Sequence, residues 1–429
     1  MEQPNSLSTT ALPLPIVAEV FESVTQQVPL GAVYASLSND ANDDRAPMPV
    51  LLSLPDLELC AAQLDGRYVK VESAGVVRLP SGDLIEIPAA QPDQVGNFVF
   101  MPRRGGVSPA RNERKQGLLW QRLIEAAQFG QVNAYYHAAR MARYINELLV
   151  ELDAPPLPKL RLLTSAHSGY DPLTGEFRRE RVLAGGHYRM RARRYDPTED
   201  RELDTSGEIH LGPGRYFLKR GEPLAAGASR TRRLGGRRYL HQASHNPSII
   251  YHEYAHHVVR HTADFRCNDQ RRLMKQSNAK CWLDEGMCDY LTASMLNRAD
   301  IFRWHRAGLP PRHPRYRNLE PGRSLADFDA APAADPHYNG TIWATLLWQL
   351  RHRLTCEGRA TEREFDRIVL RTLLLIGKTG RPNPANCRVI RRANLRGRAA
   401  LTTAARCLLQ ALQMHGVALK GGERFDALC

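Results

Sequence analysis

Apolar residues occur in short runs over the first quarter of the chain, and turn-forming residues separate the runs. Between Val50 and Met101 these turns contain Pro55, Gly66 and Gly82. Short apolar runs divided by Gly, Pro, Asp or Asn are typical of β-strands joined by tight turns. The region therefore predicts a small β-rich unit. Residues 1–45 are polar and predict little regular structure, and residues 102–117 form a basic connector.

The spacing of apolar residues changes after the connector. From Leu118 to Leu149 they recur every three or four positions, and two prolines follow at 155 and 156. That spacing predicts an amphipathic helix that ends before the prolines. Residues 212–245 are rich in Gly and Arg and predict a loop. Between this helix and this loop lie three strand-like segments, Leu160–Leu163, Tyr188–Tyr195 and Glu208–Leu211.

The clearest helix start in the chain is at Asn246. Asparagine is a preferred N-cap, and Pro247 suits the first helical position because it has no backbone N–H to leave unsatisfied. Helical spacing then recurs in four further segments, Leu283–Leu296, Thr341–Thr355, Glu362–Leu375 and Ala399–Met414.

Together these patterns predict an α+β protein with three regions. We expect residues 1–115 to form an N-terminal β-rich accessory or regulatory region with a flexible start. Residues 116–265 should form an α/β region that carries the helix opened at Asn246. Residues 266–429 should be mostly α-helical.

The composition is that of a globular protein, because 43% of the 429 side chains are hydrophobic and 24% are charged. These values exclude a disordered, collagen-like or small disulfide-rich chain. No run of 18 apolar residues occurs, and the first residues lack a secretory signal pattern. We therefore expect a cytoplasmic protein with no membrane partner. The eight cysteines include no C-x-x-C pair and predict free thiols.

The net charge of +14 comes mostly from arginine. Five arginines lie between Arg230 and Arg238, and a second group lies between Arg388 and Arg398. A solvated basic surface is the commoner explanation of such groups, but they would also suit a polyanion or an acidic protein partner. No nucleic-acid-binding motif accompanies them.

The helix opened at Asn246 contains His252-Glu253-x-x-His256. Residues four apart on a helix lie on one face, so the two imidazoles can reach the same zinc ion. Glu253 lies about 100° around the helix, beside the ion, where it can accept a proton from a water that the ion activates. The alternative is a buried helix whose histidines are satisfied by hydrogen bonds.

A catalytic zinc site needs a third protein ligand. Glu285 begins the next helical run, and we predict that it supplies this ligand. Asp289, four residues later on the same face, should accept the other ring N–H of a ligating histidine and fix its tautomer. An acidic helix start, stabilised by the helix dipole, is the alternative explanation for Asp284 and Glu285. Cys288 is also close in sequence, although packing is the commoner role of a cysteine.

These motifs resemble the gluzincin metallopeptidases, in particular the thermolysin-like and fungalysin-like enzymes. Residues 252–256 match the family's H-E-x-x-H motif, and Glu285 with Asp289 matches its acidic motif on the following helix. The resemblance covers about residues 130–355, or half the chain. It implies a thermolysin-like catalytic domain, in which a mixed sheet covers the active-site helix, and it implies zinc as the cofactor.

Two further segments are similar to parts of the same family. Residues 336–343 resemble the segment that carries an oxyanion-stabilising histidine, which implies this role for His337. The family's acidic partner of that histidine lies five residues earlier, where this chain has Pro332, and Asp335 is nearer. The active-site edge strand, along which a peptide would add as a further strand, is matched by Glu208, Ile209 and His210.

The sequence thus leaves two functions open. The first is a zinc metalloendopeptidase that hydrolyses peptide bonds, with a protein or peptide as substrate. The second is a non-catalytic or metal-binding protein on the same fold, which docks nucleic acid or an acidic partner through its arginine-rich loops. An intact Glu253 favours the enzyme, because a binding protein needs no base beside the metal. The sequence does not indicate the substrate or the oligomeric state.

Overall fold

The computed structural model describes most of the chain between residues 28 and 417. The described ranges are 28–35, 49–102, 118–213, 233–238, 242–263, 282–301, 317–380 and 398–417, with gaps of up to four residues inside them. All statements below concern these residues.

The described residues of the N-terminal part form five short strands. Strands β1 (Leu30–Val33) and β2 (Val50–Ser53) form an antiparallel pair, as do β4 (Val76–Arg78) and β5 (Leu84–Glu86). Strand β3 (Val69–Ser73) pairs elsewhere, as described below. The long helix α1 (Leu118–Glu151) follows, two residues longer than the apolar spacing predicts.

Seven more strands are described between α1 and the second helix. They are β6 (Leu160–Thr164), β7 (Gly186–Arg189), β8 (Arg194–Asp196), β9 (Arg201–Leu203), β10 (Glu208–Leu211), β11 (Arg233–Leu234) and β12 (Arg237–Arg238). The strand-like segments predicted at Leu160–Leu163 and Glu208–Leu211 are confirmed. The single segment predicted at Tyr188–Tyr195 is instead divided between β7 and β8.

The second half of the chain is helical. Its helices are α2 (Pro247–Thr262), α3 (Trp282–Leu296), α4 (Pro336–Cys356), α5 (Glu362–Gly380) and α6 (Arg398–Met414). Short 3-10 turns lie at Arg179–Arg181, Ala243–His245 and Leu325–Asp327. The described residues thus form a mixed α/β structure with six helices and small sheets, which confirms the predicted mixture of elements.

A four-stranded sheet in the order β3-β6-β10-β7 lies at the centre. Strands β3, β6 and β10 are parallel, and β7 runs antiparallel to β10 at one edge. In β6, Leu160 and Leu162 are buried, while Arg161 between them is only half-buried. One buried apolar cluster joins this sheet to the helices.

The predicted division of the chain into three regions stays a prediction, but one strand of the N-terminal region pairs with the rest of the chain. Strand β3 comes from the region expected to be a separate accessory unit, yet it forms an edge of the central sheet through its pairing with β6. Val69, Leu54 and Phe98 are also part of the same buried cluster as the helices. Nothing in the local sequence of β3 specifies a partner that lies about ninety residues away, so the apolar pattern predicted the strand but not its sheet.

Helix α2 begins as the sequence predicts. Asn246 is the N-cap, its Oδ1 accepts a hydrogen bond from the Ser248 backbone N–H at 2.9 Å, and Pro247 occupies the first turn. Almost the whole helix is buried, between the sheet, α1 and α3. Its polar residues therefore face protein groups rather than water.

Helices α3 and α4 approach each other unusually closely at Gly286 and Gly340. A Cβ atom on Gly286 would lie 2.5 Å from the carbonyl oxygen of Gly340. A Cβ atom on Gly340 would lie 2.8 Å from the backbone nitrogen of Gly286 and 3.0 Å from the Cβ of Glu285. The two glycines therefore permit a contact that places Glu285 beside the first turn of α4.

Two further predictions are tested by the described residues. Cys60, Cys288, Cys356 and Cys407 are free thiols, as predicted, and the other four cysteines lie outside the described residues. In the part of the chain that the structure describes, none of the helices has the length and apolar composition that a bilayer crossing requires.

Candidate metal centre

His252 and His256 lie on the buried face of α2 that packs against α3. Their residues are 3% and 6% exposed, and their ring centroids are 5.0 Å apart. The four-residue spacing of the motif thus brings the two imidazoles together, as the helix geometry predicts.

Glu285, on the first turn of α3, brings a carboxylate to both rings. Its Oε2 atom lies 3.0 Å from His252 Nε2 and 3.6 Å from His256 Nε2. Ligand atoms bound tetrahedrally to zinc at 2.0–2.1 Å are about 3.3 Å apart. The separations in the structure bracket that value, and Glu285 is fully buried. The three residues predicted as metal ligands therefore converge with a spacing that fits a metal ion.

The outer nitrogens of both histidines face carboxylates of α3. His252 Nδ1 lies 3.1 Å from Asp289 Oδ1, and His256 Nδ1 lies 2.9 Å from Asp284 Oδ1. A carboxylate at this nitrogen fixes the tautomer and directs the lone pair of Nε2 towards a metal. Asp289 occupies the position predicted for it. The sequence pattern explains Asp284 only as part of an acidic helix start. Its position directly before Glu285 is the signal that could have predicted its contact with His256.

Arg317 is a member of the site that the sequence analysis did not identify. It is 5% exposed, and its Nη1 atom lies 2.7 Å from Asp289 Oδ1. Burial alone would raise the pKa of Asp289, but Arg317 and His252 lower it below its usual value. Arg317 thus keeps Asp289 ionised. It lies 28 residues from Asp289, and no motif in this chain marks it.

His337 lies on the first turn of α4, close to the same carboxylate. Its Nε2 atom is 3.2 Å from Glu285 Oε2, and its side chain is 26% exposed. The structure therefore brings His337 into the cluster, on its more open side. Burial and Arg317 lower the pKa of His337, while Glu285 and Asp335 oppose that shift.

Asp335 is the carboxylate that orients His337. Its Oδ1 atom lies 2.7 Å from His337 Nδ1 and accepts the backbone N–H of His337 at 3.0 Å as the N-cap of α4. Burial would raise the pKa of Asp335, but its hydrogen bonds and charge interaction with His337 lower it to about 2. The acidic partner thus comes from two residues before the histidine. Pro332 lies outside the described residues.

Glu253 is buried beside this cluster, at 5% exposure. Its Oε2 atom has no hydrogen-bond partner among the described residues. Strand β7 passes close to Glu253. A Cβ atom on Gly186 of this strand would lie 2.8 Å from Glu253 Cγ. A buried carboxylate oxygen left without a partner is costly unless a ligand completes its interactions.

Cys288 lies behind His256 rather than among the ligand atoms. Its Sγ atom is 3.2 Å from His256 Nδ1 and 3.6 Å from Asp284 Oδ1. Burial, followed by the charges of the surrounding carboxylates, raises the pKa of Cys288 well above its usual value. Together with His256 and Asp284, Cys288 forms a further group whose spacing could hold a metal ion. Cys281 lies outside the described residues.

The charges of the cluster also fit a cation. Asp284, Glu285, Asp289 and Asp335 contact the three histidines, and Arg317 is bound to one of these carboxylates. Buried carboxylates in excess of nearby cations are strongly disfavoured. A divalent ion among His252, His256 and Glu285 would balance them, and these residues form one of the groups in the structure that could hold a metal.

The predicted substrate edge needs correction. Glu208, Ile209 and His210 lie in β10, which is hydrogen-bonded to β6 on one side and to β7 on the other. They are therefore inside the sheet, and the edge strand beside α2 is β7. The sequence pattern of β10 is that of a buried strand, but it does not specify which strands pair with β10 on either side.

Two of the five arginines of the first group and four of the five of the second lie outside the described residues. Arg233–Leu234 and Arg237–Arg238 form a small hairpin, and Arg398 begins α6. In comparisons with known proteins, the chain matches no family model and no curated sequence.

Proposed function

We propose that this protein is a zinc metalloendopeptidase of the gluzincin type. One observation carries the proposal: a single buried carboxylate oxygen of Glu285 lies 3.0 and 3.6 Å from the two Nε2 atoms of the H-E-x-x-H helix. Two histidines and a glutamate are a donor set that zinc uses in peptidases, with a fourth position left for water or substrate. The mixed sheet over α2 is the arrangement that a thermolysin-like domain would have.

A bound zinc ion would polarise the scissile carbonyl and acidify the attacking water. The chain's own groups then handle the protons and the charge. Glu253 lies one residue from His252 on the same buried helix, with Oε2 available for a new hydrogen bond. It takes a proton from the attacking water and delivers it to the nitrogen of the leaving amine.

His337 is placed to stabilise the negative charge that develops on the carbonyl oxygen. Asp335 holds its Nδ1 atom, so the ring presents Nε2 towards the cluster. Asp335 and Glu285 favour the protonated ring against burial and Arg317, and in that form the ring donates both N–H groups, one to Asp335 and one to the substrate oxygen. A donor held in place before the reaction begins stabilises the transition state without a reorganisation cost.

The peptide would bind along β7. Among the described residues β7 pairs only with β10, so its outer edge can accept a further strand. Gly186 on this strand lies against Glu253, which places a peptide bound there beside the general base. Backbone hydrogen bonds to a strand edge hold a peptide extended and largely independently of its side chains. An orphaned Glu253 beside a strand edge favours the enzyme over a non-catalytic metal-binding protein.

The test combines metal analysis with a cleavage assay. Purified protein should contain zinc and should cleave a mixture of denatured proteins, with new N-termini identified by mass spectrometry. Glu253→Gln should keep the zinc content of the wild type and reduce kcat/KM by about 10²- to 10⁴-fold, since only the base is lost. Glu58→Gln, at an exposed position, is the matched control. Wild-type protein without bound zinc and without cleavage would refute the proposal, and full activity in Glu253→Gln would refute the role of Glu253.

A further inference from the structure

A second group of histidines lies on the opposite face of the central sheet. On β7, Gly186 contacts Glu253 and the Tyr188 ring stacks on His256 at 6.5 Å, so both residues face α2. Because side chains alternate along a strand, His187 points to the other face. His187 is the cross-strand partner of His210 on β10, and the two rings therefore share that face.

His167 joins this pair from the turn after β6. The ring centroids of His167, His187 and His210 are 4.9 to 5.3 Å apart. The backbone of His167 has φ of 57°, a left-handed conformation that is uncommon for residues other than glycine. In this conformation its Nε2 atom lies 2.8 Å from His210 Nδ1. Strained backbone at a polar cluster is more frequent at functional sites than elsewhere.

A carboxylate fixes the ring of His210. Its Nε2 atom lies 2.8 Å from Glu208 Oε1, and Arg161 Nη1 lies 3.5 Å from the other oxygen of Glu208. Glu208 therefore accepts the Nε2 proton of His210, and the lone pair of Nδ1 points towards the other two histidines. This carboxylate–histidine relay is the arrangement that orients a metal-ligating imidazole.

We propose that His167, His187 and His210 form a second metal site, for a divalent transition ion such as zinc. One ring nitrogen from each residue lies within 4.8 Å of the others. Imidazole is the ligand that zinc, copper and nickel share, and three of them leave a fourth position for water. The 2.8 Å separation of His167 from His210 would widen by about half an ångström to suit a tetrahedral ion.

An ion at this site would join three segments of the chain: the turn after β6, the inner strand β10 and the edge strand β7. It would fix the strand whose Gly186 lies against Glu253. The effect of the ion on the strand edge beside Glu253 matters only if the proposed function holds, whereas the metal site itself does not depend on that function.

The test is a titration of chelator-treated protein with ZnCl₂, in which stoichiometry and Kd are measured by competition with a chromophoric chelator. His167→Asn and His187→Ala should each bind one zinc ion fewer than the wild type. Asparagine tolerates the left-handed backbone of residue 167, and the side chains of both residues are only partly buried or exposed, so both variants should fold. Glu208→Gln should raise the Kd for the same ion about 10- to 100-fold. His415→Ala, remote from the cluster, should bind like the wild type.

Glu285→Gln separates this site from the first one, because it should remove the other ion and leave that of the three histidines. Hydrogen exchange provides a readout that does not depend on activity: zinc should protect the amides of residues 186–189 in the wild type and not in His167→Asn. Unchanged stoichiometry and Kd in both His167→Asn and His187→Ala would overturn the proposal, whatever Glu285→Gln shows.

Discussion

Each histidine of the α2 motif is held at two points. One nitrogen of His252 faces Glu285 and the other faces Asp289. His256 Nδ1 faces Asp284 at 2.9 Å, and its Nε2 lies 3.6 Å from Glu285. Such a relay places the lone pairs before a metal arrives, so little entropy is lost on binding. Asp284 and Asp289 should therefore contribute to metal affinity although neither is a predicted ligand.

We predict that Asp284→Asn and Asp289→Asn each raise the Kd for zinc about 10- to 100-fold, because a neutral amide no longer increases the basicity of the ligating ring. Competition with a chelator measures this affinity. Asp153→Asn is the matched control, since Asp153 is exposed and has φ of 51°, which asparagine accepts. Equal affinities in all four proteins would contradict the assigned role of the two aspartates.

His137 shows what the same side chain does when it is buried without carboxylates. Its Nδ1 atom lies 2.7 Å from Tyr251 Oη, and its Nε2 atom lies 2.9 Å from the Tyr34 carbonyl oxygen. Burial lowers the pKa of His137 to about 3. An unfolded histidine titrates near 6.5, so the unfolded chain binds a proton that the native chain does not bind below that pH. The free energy of unfolding should therefore fall as the pH decreases from about 6.5 towards 3.

His137→Gln should reduce this loss, because an amide can keep both hydrogen bonds and does not titrate. The contribution of His137 between pH 7.5 and pH 5.0 is expected to be about 2 kcal/mol at most. Urea unfolding at the two pH values, with EDTA present so that metal release does not contribute, gives the comparison. The same decrease in both proteins would show that His137 is not the source.

At the scale of the elements, three glycines determine how closely the parts of the site approach. Gly286 and Gly340 bring α3 against α4, and Gly186 brings β7 against α2. At each position a Cβ atom would lie within 3.0 Å of a neighbouring atom. The elements that carry Glu285, His337 and Glu253 are therefore positioned by close backbone contacts as well as by apolar packing.

We predict that Gly186→Ala displaces Glu253 and lowers kcat by about 10- to 100-fold while zinc content is unchanged. A new Cβ atom would lie 2.8 Å from Glu253 Cγ and 3.0 Å from Ile249 Cγ2, so one of these groups must move. A displacement of a catalytic group by about 1 Å can cost 10²-fold in rate. Gly185→Ala is the adjacent control, because a Cβ atom there would meet nothing within 4 Å. Equal kcat values for the two variants would exclude the contact as a determinant of activity.

At the scale of the whole molecule, most buried apolar side chains of the described residues belong to one core cluster. The N-terminal strand β3 is part of the sheet beside which α2 lies, and Val69 on that strand is fully buried. We therefore expect the N-terminal strands and the C-terminal helices to unfold together.

Val69→Ala tests this expectation, because it should lower the free energy of unfolding by about 2 kcal/mol through lost apolar contact and a small cavity. The buried residues Trp282, Trp343 and Trp348 report on the helical half, so their fluorescence in urea should show the shifted midpoint. Val95→Ala, at a position that is 76% exposed, should leave the midpoint unchanged. If Val69→Ala left the unfolding midpoint of the helical half unchanged, the N-terminal strands would unfold as a separate unit.

Much of the local structure follows from local sequence. The start of α2 at Pro247, the bounds of β10 and the paired histidines of one helix face depend on residues within a few positions of one another. Capping, apolar spacing and the helical repeat specify such features, since they require no partner from another part of the chain. The convergence of Glu285, Asp289 and His337 on those histidines was predicted from motifs, and it depends on packing that the motifs do not describe.

Local patterns specify the helices, several of the strands and the donor atoms of the candidate site. Long-range packing sets which elements are neighbours: β3 belongs to the central sheet, β7 rather than β10 forms its edge, and Arg317 binds Asp289. It also brought His167 to the pair of His187 and His210. These contacts join residues far apart in the chain, and their geometry is set by burial and close packing of the whole core rather than by the conformational preferences of each segment.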